Sequence, residues 1–179
     1  WRVSLCSYAI ADHGYEEDDF LLGFAESTFR QEKYSDVMLI YLCKYFNGPT
    51  KQMAELWKAA GEFQIDTFDL EERILTQMLY TTDYTPHMEE IYESYCAGGG
   101  RDLVCMAYLS YFANMYLTED AVVPEHVFRQ IRERYLTGGD LNRVCRIALL
   151  KYLSENHLSE RDRKIADELL DTCIRHNLY

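Results

Sequence analysis

Proline and glycine are scarce, three and nine among 179 residues, so little in this chain interrupts a helix. No run approaches the roughly 18–20 uncharged apolar residues that a membrane-spanning helix needs, which excludes direct membrane insertion of that kind. Cysteine motifs are missing as well. The six cysteines (Cys6, Cys43, Cys96, Cys105, Cys145, Cys173) form no C-x-x-C pair and do not alternate with histidine. A tetrahedral zinc site draws on closely spaced ligand pairs, so none is assigned. Five of the six stand inside apolar runs, which predicts buried structural thiols in a reducing, cytoplasmic setting. Positive charge is in deficit: 18 Lys and Arg against 30 Asp and Glu leave a net charge of −12. Phosphate backbones are bound through Lys and Arg, so nucleic acid is excluded as a general partner.

Catalytic signatures are absent in the same way. Gly98-Gly99-Gly100-Arg101-Asp102 opens a helix, but no Lys-Ser/Thr follows the glycines and no strand precedes them, so the stretch reads as an interhelical turn. His13, His87, His126, His157 and His176 all lie near predicted helix ends, and none belongs to an H-E-x-x-H or Glu-x-x-His pattern. The acidic clusters at Glu16–Asp19 and Glu71-Glu72 fall in first helical turns, where negative charge offsets the helix dipole. No G-x-S-x-G elbow occurs. The sequence therefore assigns no catalytic residue, no cofactor and no metal.

What the chain does contain is repetition. VMLIYLCKYF at 37–46 returns as VCRIALLKYL at 144–153, 107 residues later, with Val, Ile, Leu, Lys and Tyr identical at five positions. VCMAYLSYF at 104–112 is a third copy, and HGYEED at 13–18 mirrors HLSERD at 157–162. Between these strings lie stop signals (Gly14, Asn47-Gly48-Pro49, Gly98–Gly100, Gly138-Gly139) and start signals. Thr50 opens one helix, Pro86 and Pro124 stand at first helical positions, Asp102 and Asp140 act as caps, and Ser159-x-x-Asp162 resembles a capping box.

Apolar residues between the signals recur at spacings of three, four and seven. Examples are Met53, Leu56, Trp57 and Ala60; Met88, Ile91, Tyr92 and Tyr95; and Ile165, Ala166, Leu169, Leu170, Cys173 and Ile174. No segment keeps a period of two. The pattern predicts an all-α chain of about ten helices, over about 1–12, 17–31, 35–46, 50–62, 67–82, 86–97, 102–117, 124–136, 140–155 and 159–176. Paired as about five antiparallel hairpins, they predict an α-solenoid occupying 1–179 as one helical-repeat domain. The odd-numbered helices are apolar nearly all round, Lys44 excepted, and are expected to be covered on most sides; the amphipathic even ones form an outer wall. Because the chain opens at Trp1 in mid-pattern, it reads as a fragment of a larger protein. The shape is tetratricopeptide-like, without that repeat's consensus landmarks.

KYFNGPTKQMAELWKAA at 44–60, LEERILTQML at 70–79 and ALLKYL at 148–153 together resemble an uncharacterised family of large Gram-positive bacterial proteins, a domain-of-unknown-function group. The likeness runs from about residue 34 through most of the chain. It implies a piece of a larger protein and carries no activity and no catalytic residue with it.

Fifteen tyrosines are the remaining feature, many of them on the repeated helices. Tyrosine joins a rigid apolar ring to a hydrogen-bonding tip and is enriched in binding surfaces. Lys44 and Lys151, equivalent in the repeat, accompany them. Tyr41, Lys44, Tyr45, Tyr108, Tyr111, Lys151 and Tyr152 form the predicted partner-binding stripe. The functional expectation is a non-catalytic scaffold that presents a surface to a protein or peptide, or to other domains of its parent chain. The alternatives are a carbohydrate-processing α/α-toroid enzyme fragment and a purely structural spacer.

Overall fold

Helix ends, more than helix interiors, show how this sequence organises itself. In a computed structural model, residues 36–81, 85, 87–119, 121–156 and 159–175 are described, without the side chains of residues 36–38, 41 and 45. The helices predicted over about 1–12 and 17–31 lie outside the described residues, as do Cys6 and the HGYEED string. Among the described residues there are eight α-helices and no strand: α1 Asp36–Tyr45, α2 Thr50–Glu62, α3 Phe68–Thr81, α4 Met88–Ala97, α5 Asp102–Thr118, α6 Glu125–Leu136, α7 Arg143–Glu155 and α8 Glu160–Arg175. The all-α class therefore holds.

Three starts differ from expectation. Helix α4 begins at Met88, with His87 as its N-cap, later than the start predicted at Pro86. Pro124 is the N-cap of α6, with ψ of 135°, rather than its first helical residue. Helix α7 begins at Arg143, later than predicted, because Asn142 and not Asp140 caps it: the Asn142 side chain accepts the Cys145 backbone N–H at 3.0 Å.

Three ends share one design. Helices α4 and α6 close with a left-handed glycine, Gly99 at φ 84° and Gly138 at φ 74°. In each, the glycine N–H and the next N–H turn back to carbonyls of the last turn: Gly99 to Cys96 and Gly100 to Tyr95, Gly138 to Tyr135 and Gly139 to Arg134. This is the Schellman arrangement. Helix α2 ends identically, Gln64 N–H to Gly61 and Ile65 N–H to Ala60, yet the left-handed residue is Gln64 at φ 54°.

The chain divides into two compact units, with the boundary between Val104 and Cys105. In the first, α1 packs on α2 and α3, α2 on α3, and α3 on α4. Leu39, Leu42, Met53, Leu56, Ile74 and Ile91 are among its buried side chains, each stabilising the fold by about 1.5–3 kcal/mol through loss of apolar surface to water. Arg73 of α3 donates to the Phe46 carbonyl at 2.5 Å and also to the Cys43 carbonyl. The guanidinium thus satisfies carbonyls that the end of α1 leaves over.

In the second unit, α7 packs against both α6 and α8. Helix α5 is tied in by polar and ring contacts: Asn142 donates to the Ser110 hydroxyl, and the Tyr116 ring meets Phe128 edge-on at 4.8 Å. Leu42 and Leu149, equivalent in the repeated string, are 3% and 0% exposed, so both copies spend the same leucine on a core.

Helix α1 departs from the expected covering at Ile40, which is 50% exposed. Its buried residues Leu39, Leu42 and Cys43 face its packing neighbours, while Ile40 and Lys44, one turn apart, border an open groove.

Candidate functional site

The groove lies in the first unit and has a volume of about 1070 Å³. One wall is α1, through Ile40, Cys43 and Lys44. The turn between α2 and α3, EFQIDT at 62–67, supplies Phe63, Gln64, Ile65, Asp66 and Thr67. Phe68, Asp69 and Glu71 of α3, with Ser94 and Gly98 at and beyond α4, complete the lining. The local causes are plain. Gly61, Phe63 and Gln64 end α2 by the Schellman turn, which throws Phe63 outward to 43% exposure. Asp66 then starts α3, its carboxylate accepting the Phe68 N–H at 3.1 Å.

Glu71 is the unusual member. A carboxylate only 3% exposed is rare unless hydrogen-bonded. Three donors from three elements converge on its Oε1: Trp57 Nε1 at 2.8 Å, Thr67 Oγ1 at 2.8 Å and Ser94 Oγ at 2.7 Å. Among the described residues, Oε2 receives no hydrogen bond, and it is not sealed from solvent. Glu71 therefore fastens α2, α3 and α4 with one oxygen and has acceptor capacity left in the other.

Gln64 adds strain to the groove's edge. A left-handed non-glycine residue costs on the order of 1 kcal/mol or more, and the equivalent turns after α4 and α6 avoid that cost with glycine. Cys43, on the α1 wall, is 3% exposed, and burial pushes its thiol up to about 11. A thiol so placed is a poor nucleophile at neutral pH.

Beside the groove, Glu72, Tyr95 and Arg101 form a latch. Tyr95, wholly buried, donates its hydroxyl hydrogen to Glu72 Oε2, and the same hydroxyl accepts the Arg101 N–H at 3.0 Å. The Arg101 guanidinium forks onto both Glu72 oxygens. The Gly98–Gly100 turn is thereby pinned onto α3, and Gly100 leaves no room for a side chain: an added Cβ would stand 2.5 Å from the Tyr95 ring. The glycine run serves closeness of packing.

The predicted tyrosine stripe draws on both units, with Tyr41, Lys44 and Tyr45 in the first and Tyr108, Tyr111, Lys151 and Tyr152 in the second. Lys44 is exposed and borders the groove. Tyr41 and Tyr45 lie on α1, with side chains outside the description. Tyr108 is 0% exposed and shares a buried hydrogen bond of 2.8 Å with His126 Nε2, so its place is in the second unit's core. Tyr111 is half-buried, edge-on to Phe112 at 5.2 Å. Tyr152 stacks on Phe128 at 4.1 Å, nearly coplanar at 6°. Lys151 donates to the Tyr116 carbonyl at 3.2 Å and stands 4.6 Å from that ring's centroid, a cation–π contact. Of the two equivalent lysines, Lys151 is half-buried against Tyr116 and Lys44 is exposed at the groove.

The residues that sequence reasoning passed over are Ile40, Phe63, Gln64, Asp66 and Glu71. A signal existed for Phe63 and for its neighbour Ile65, which also lines the groove. Phe63 and Ile65 are large apolar residues in a connection between helices, where polar residues are the norm.

Among the described residues, no group of three or more His, Cys, Asp or Glu side chains is placed to hold a metal ion, and no helix is long and apolar enough to cross a membrane. No curated protein and no solved structure resembles the chain closely enough to count as a match. The model of one family does match, over residues 18–179, and it describes the C-terminal part of a family of unknown function, DUF5717. The all-helical chain with its groove beside α1 therefore belongs to the DUF5717 family of unknown function, as part of its C-terminal region.

Proposed function

We propose that this chain is a non-catalytic helical-repeat scaffold whose groove in the first unit receives a protein or peptide segment, from another protein or from elsewhere in its parent chain. One observation carries the reading. Ile40 at 50% and Phe63 at 43% exposure are large apolar side chains, on α1 and on the turn after α2, that line one groove. Leaving them in water forfeits about 25 cal/mol per Å² that a partner would recover, and such exposed apolar surface rimmed by polar groups marks interaction sites. The repeat architecture supports the reading. Helix α1 packs against both α2 and α3, contacts that a stacked array of hairpins would require. Helical arrays of this kind commonly use a surface formed by successive repeats for binding.

The test is site-directed photo-crosslinking in cells that make the native protein. A photoreactive residue replaces Ile40 or Phe63 in turn, with the fully exposed Val122 as control position. The reading expects a discrete adduct from positions 40 and 63 and none from 122. No adduct at 40 or 63, or the same adducts at all three, overturns it.

A catalytic reading has one observation in its favour, the gathering of Asp66, Asp69 and Glu71 with Phe63 and Phe68 around the groove. Carboxylates beside aromatic rings are what a carbohydrate-processing site requires. Release of reducing ends from a polysaccharide panel, lost in Glu71→Gln, would establish it; no release from any member refutes it.

A further inference from the structure

Resting on the binding reading above, we infer that the groove's occupant is a basic segment: a stretch of polypeptide that places a Lys or Arg side chain at Glu71 Oε2 and an adjoining apolar side chain against Ile40 and Phe63. Three observations converge on that chemistry. The first is the composition of the lining, where, among the described residues, Asp66, Asp69 and Glu71 stand against Lys44 as the single cationic residue. The second is the state of Glu71. It is 3% exposed and held rigidly by three donors on Oε1, while Oε2 takes none from the described residues. A fixed carboxylate oxygen at the wall of a groove is an acceptor waiting for a donor, and a charged donor makes the stronger bond. The third is the field around it. A net charge of −12 repels acidic segments and speeds the approach of basic ones.

The apolar walls set the second half of the specificity. Ile40 and Phe63 offer no hydrogen bond, so a purely polar polycation would leave them wet. A segment alternating cationic and apolar residues satisfies both walls at once. Gln64 fits the same picture. It lines the groove in a left-handed conformation that glycine holds more cheaply, and unlike glycine it brings an amide side chain there.

The experiment uses the whole chain in a Trp1→Phe background, so that Trp57 alone reports; its indole N–H already bonds Glu71. The probe is a short capped peptide of alternating lysine and leucine pairs, with twins carrying glutamine or glutamate for every lysine, titrated at low salt. The lysine peptide is expected to bind saturably, the glutamate twin not at all, and Glu71→Gln to weaken binding by about tenfold. Because Glu71 also holds the fold, a second variant is read beside it. Asp66→Asn with Asp69→Asn removes two exposed charges at the groove and is expected to weaken binding several-fold. Glu160→Gln with Asp167→Asn removes two exposed charges from α8 and is expected to change it by about twofold at most.

Equal weakening by the two double variants overturns the assignment, because general attraction to an acidic protein then explains the binding. No saturable binding of the lysine peptide overturns it too. If the glutamine twin binds as tightly, and Ile40→Asp abolishes that binding, the groove reading survives while the basic preference falls. Self-association lost in the same groove variants assigns the site to a second copy of the chain and likewise refutes a basic occupant.

Discussion

Replacing Glu71 separates its two roles in the fold, as acceptor and as charge. Glu71→Ala deprives Trp57 Nε1, Thr67 Oγ1 and Ser94 Oγ of their shared partner. A hydrogen bond to an ionised group contributes about 1.5–3 kcal/mol, but three donors on one oxygen do not add independently. Ser94 is exposed and turns to water, whereas Trp57 and Thr67 are half-buried and lose more. About two effective bonds are lost, so the expected destabilisation is about 3 kcal/mol. Glu71→Gln keeps a carbonyl oxygen in the Oε1 position. Neutral bonds are roughly half as strong as charge-assisted ones, so its cost should be about 1–1.5 kcal/mol. The assay is urea unfolding followed by Trp57 fluorescence in the Trp1→Phe background, which reads the first unit directly. A Glu71→Ala loss below about 0.5 kcal/mol, within the range of ordinary surface substitutions, would refute the idea that this carboxylate fastens three helices. Equal losses for Ala and Gln would show that charge, and not the acceptor, is what matters.

Three further outcomes follow from the same geometry. Gln64→Gly relieves about 1–2 kcal/mol of left-handed strain and returns about 0.5–1 kcal/mol of chain entropy to the unfolded state, so urea midpoints should show a net gain of about 0.5–1 kcal/mol. In the latch, the Glu72 carboxyl is held below its ordinary 4.5, chiefly by the Tyr95 hydrogen bond and then by Arg101, against the pull of burial. Its folded pKa is the lower one, so this stabilisation is present above 4.5 and is lost as pH falls through the folded value; Glu72→Gln should flatten the acid limb of a stability–pH curve. Tyr95 runs the other way, raised above 10 by burial and then by Glu72, so its share is intact below pH 10 and is lost as pH rises through the folded value. Thiol labelling of the folded chain at mildly alkaline pH, mapped by mass spectrometry, should modify half-buried Cys96 before the buried Cys43, Cys105, Cys145 and Cys173.

Much of the helix layout was legible because punctuation is local. Gly98–Gly100 and Gly138-Gly139 mark ends that a left-handed glycine does close, and Thr50 and Pro124 mark starts to within a residue. The periodic apolar residues of α4 are all buried, Met88, Ile91, Tyr92 and Tyr95 alike. Helix α8 is more selective: Ile165, Leu169 and Cys173 are buried, whereas Leu170 and Ile174 remain about half exposed. Helical spacing fixes a face, but not how wide a strip the neighbouring helix covers.

The groove was not legible for a different reason. Lys44, Phe63, Glu71 and Ser94 are far apart along the chain and meet only through packing of α1, α2, α3 and α4. Glu71 looked like a first-turn carboxylate facing the helix dipole. Its position in the first turn is real, and its burial depends on partners that no local pattern links to it. Tyr108 misled in the opposite sense. Helix α5 is apolar round most of its circumference, so periodicity could not say which tyrosines face out, and Tyr108 turned in toward His126.

Hydrogen exchange with and without the lysine–leucine peptide tests the groove as the functional surface most directly. Slowed exchange confined to residues 40–44, 61–72 and 94–98, with residues 105–175 unchanged, is the expected footprint. Protection centred on α7 or α8, or spread evenly over the acidic surface, would contradict it.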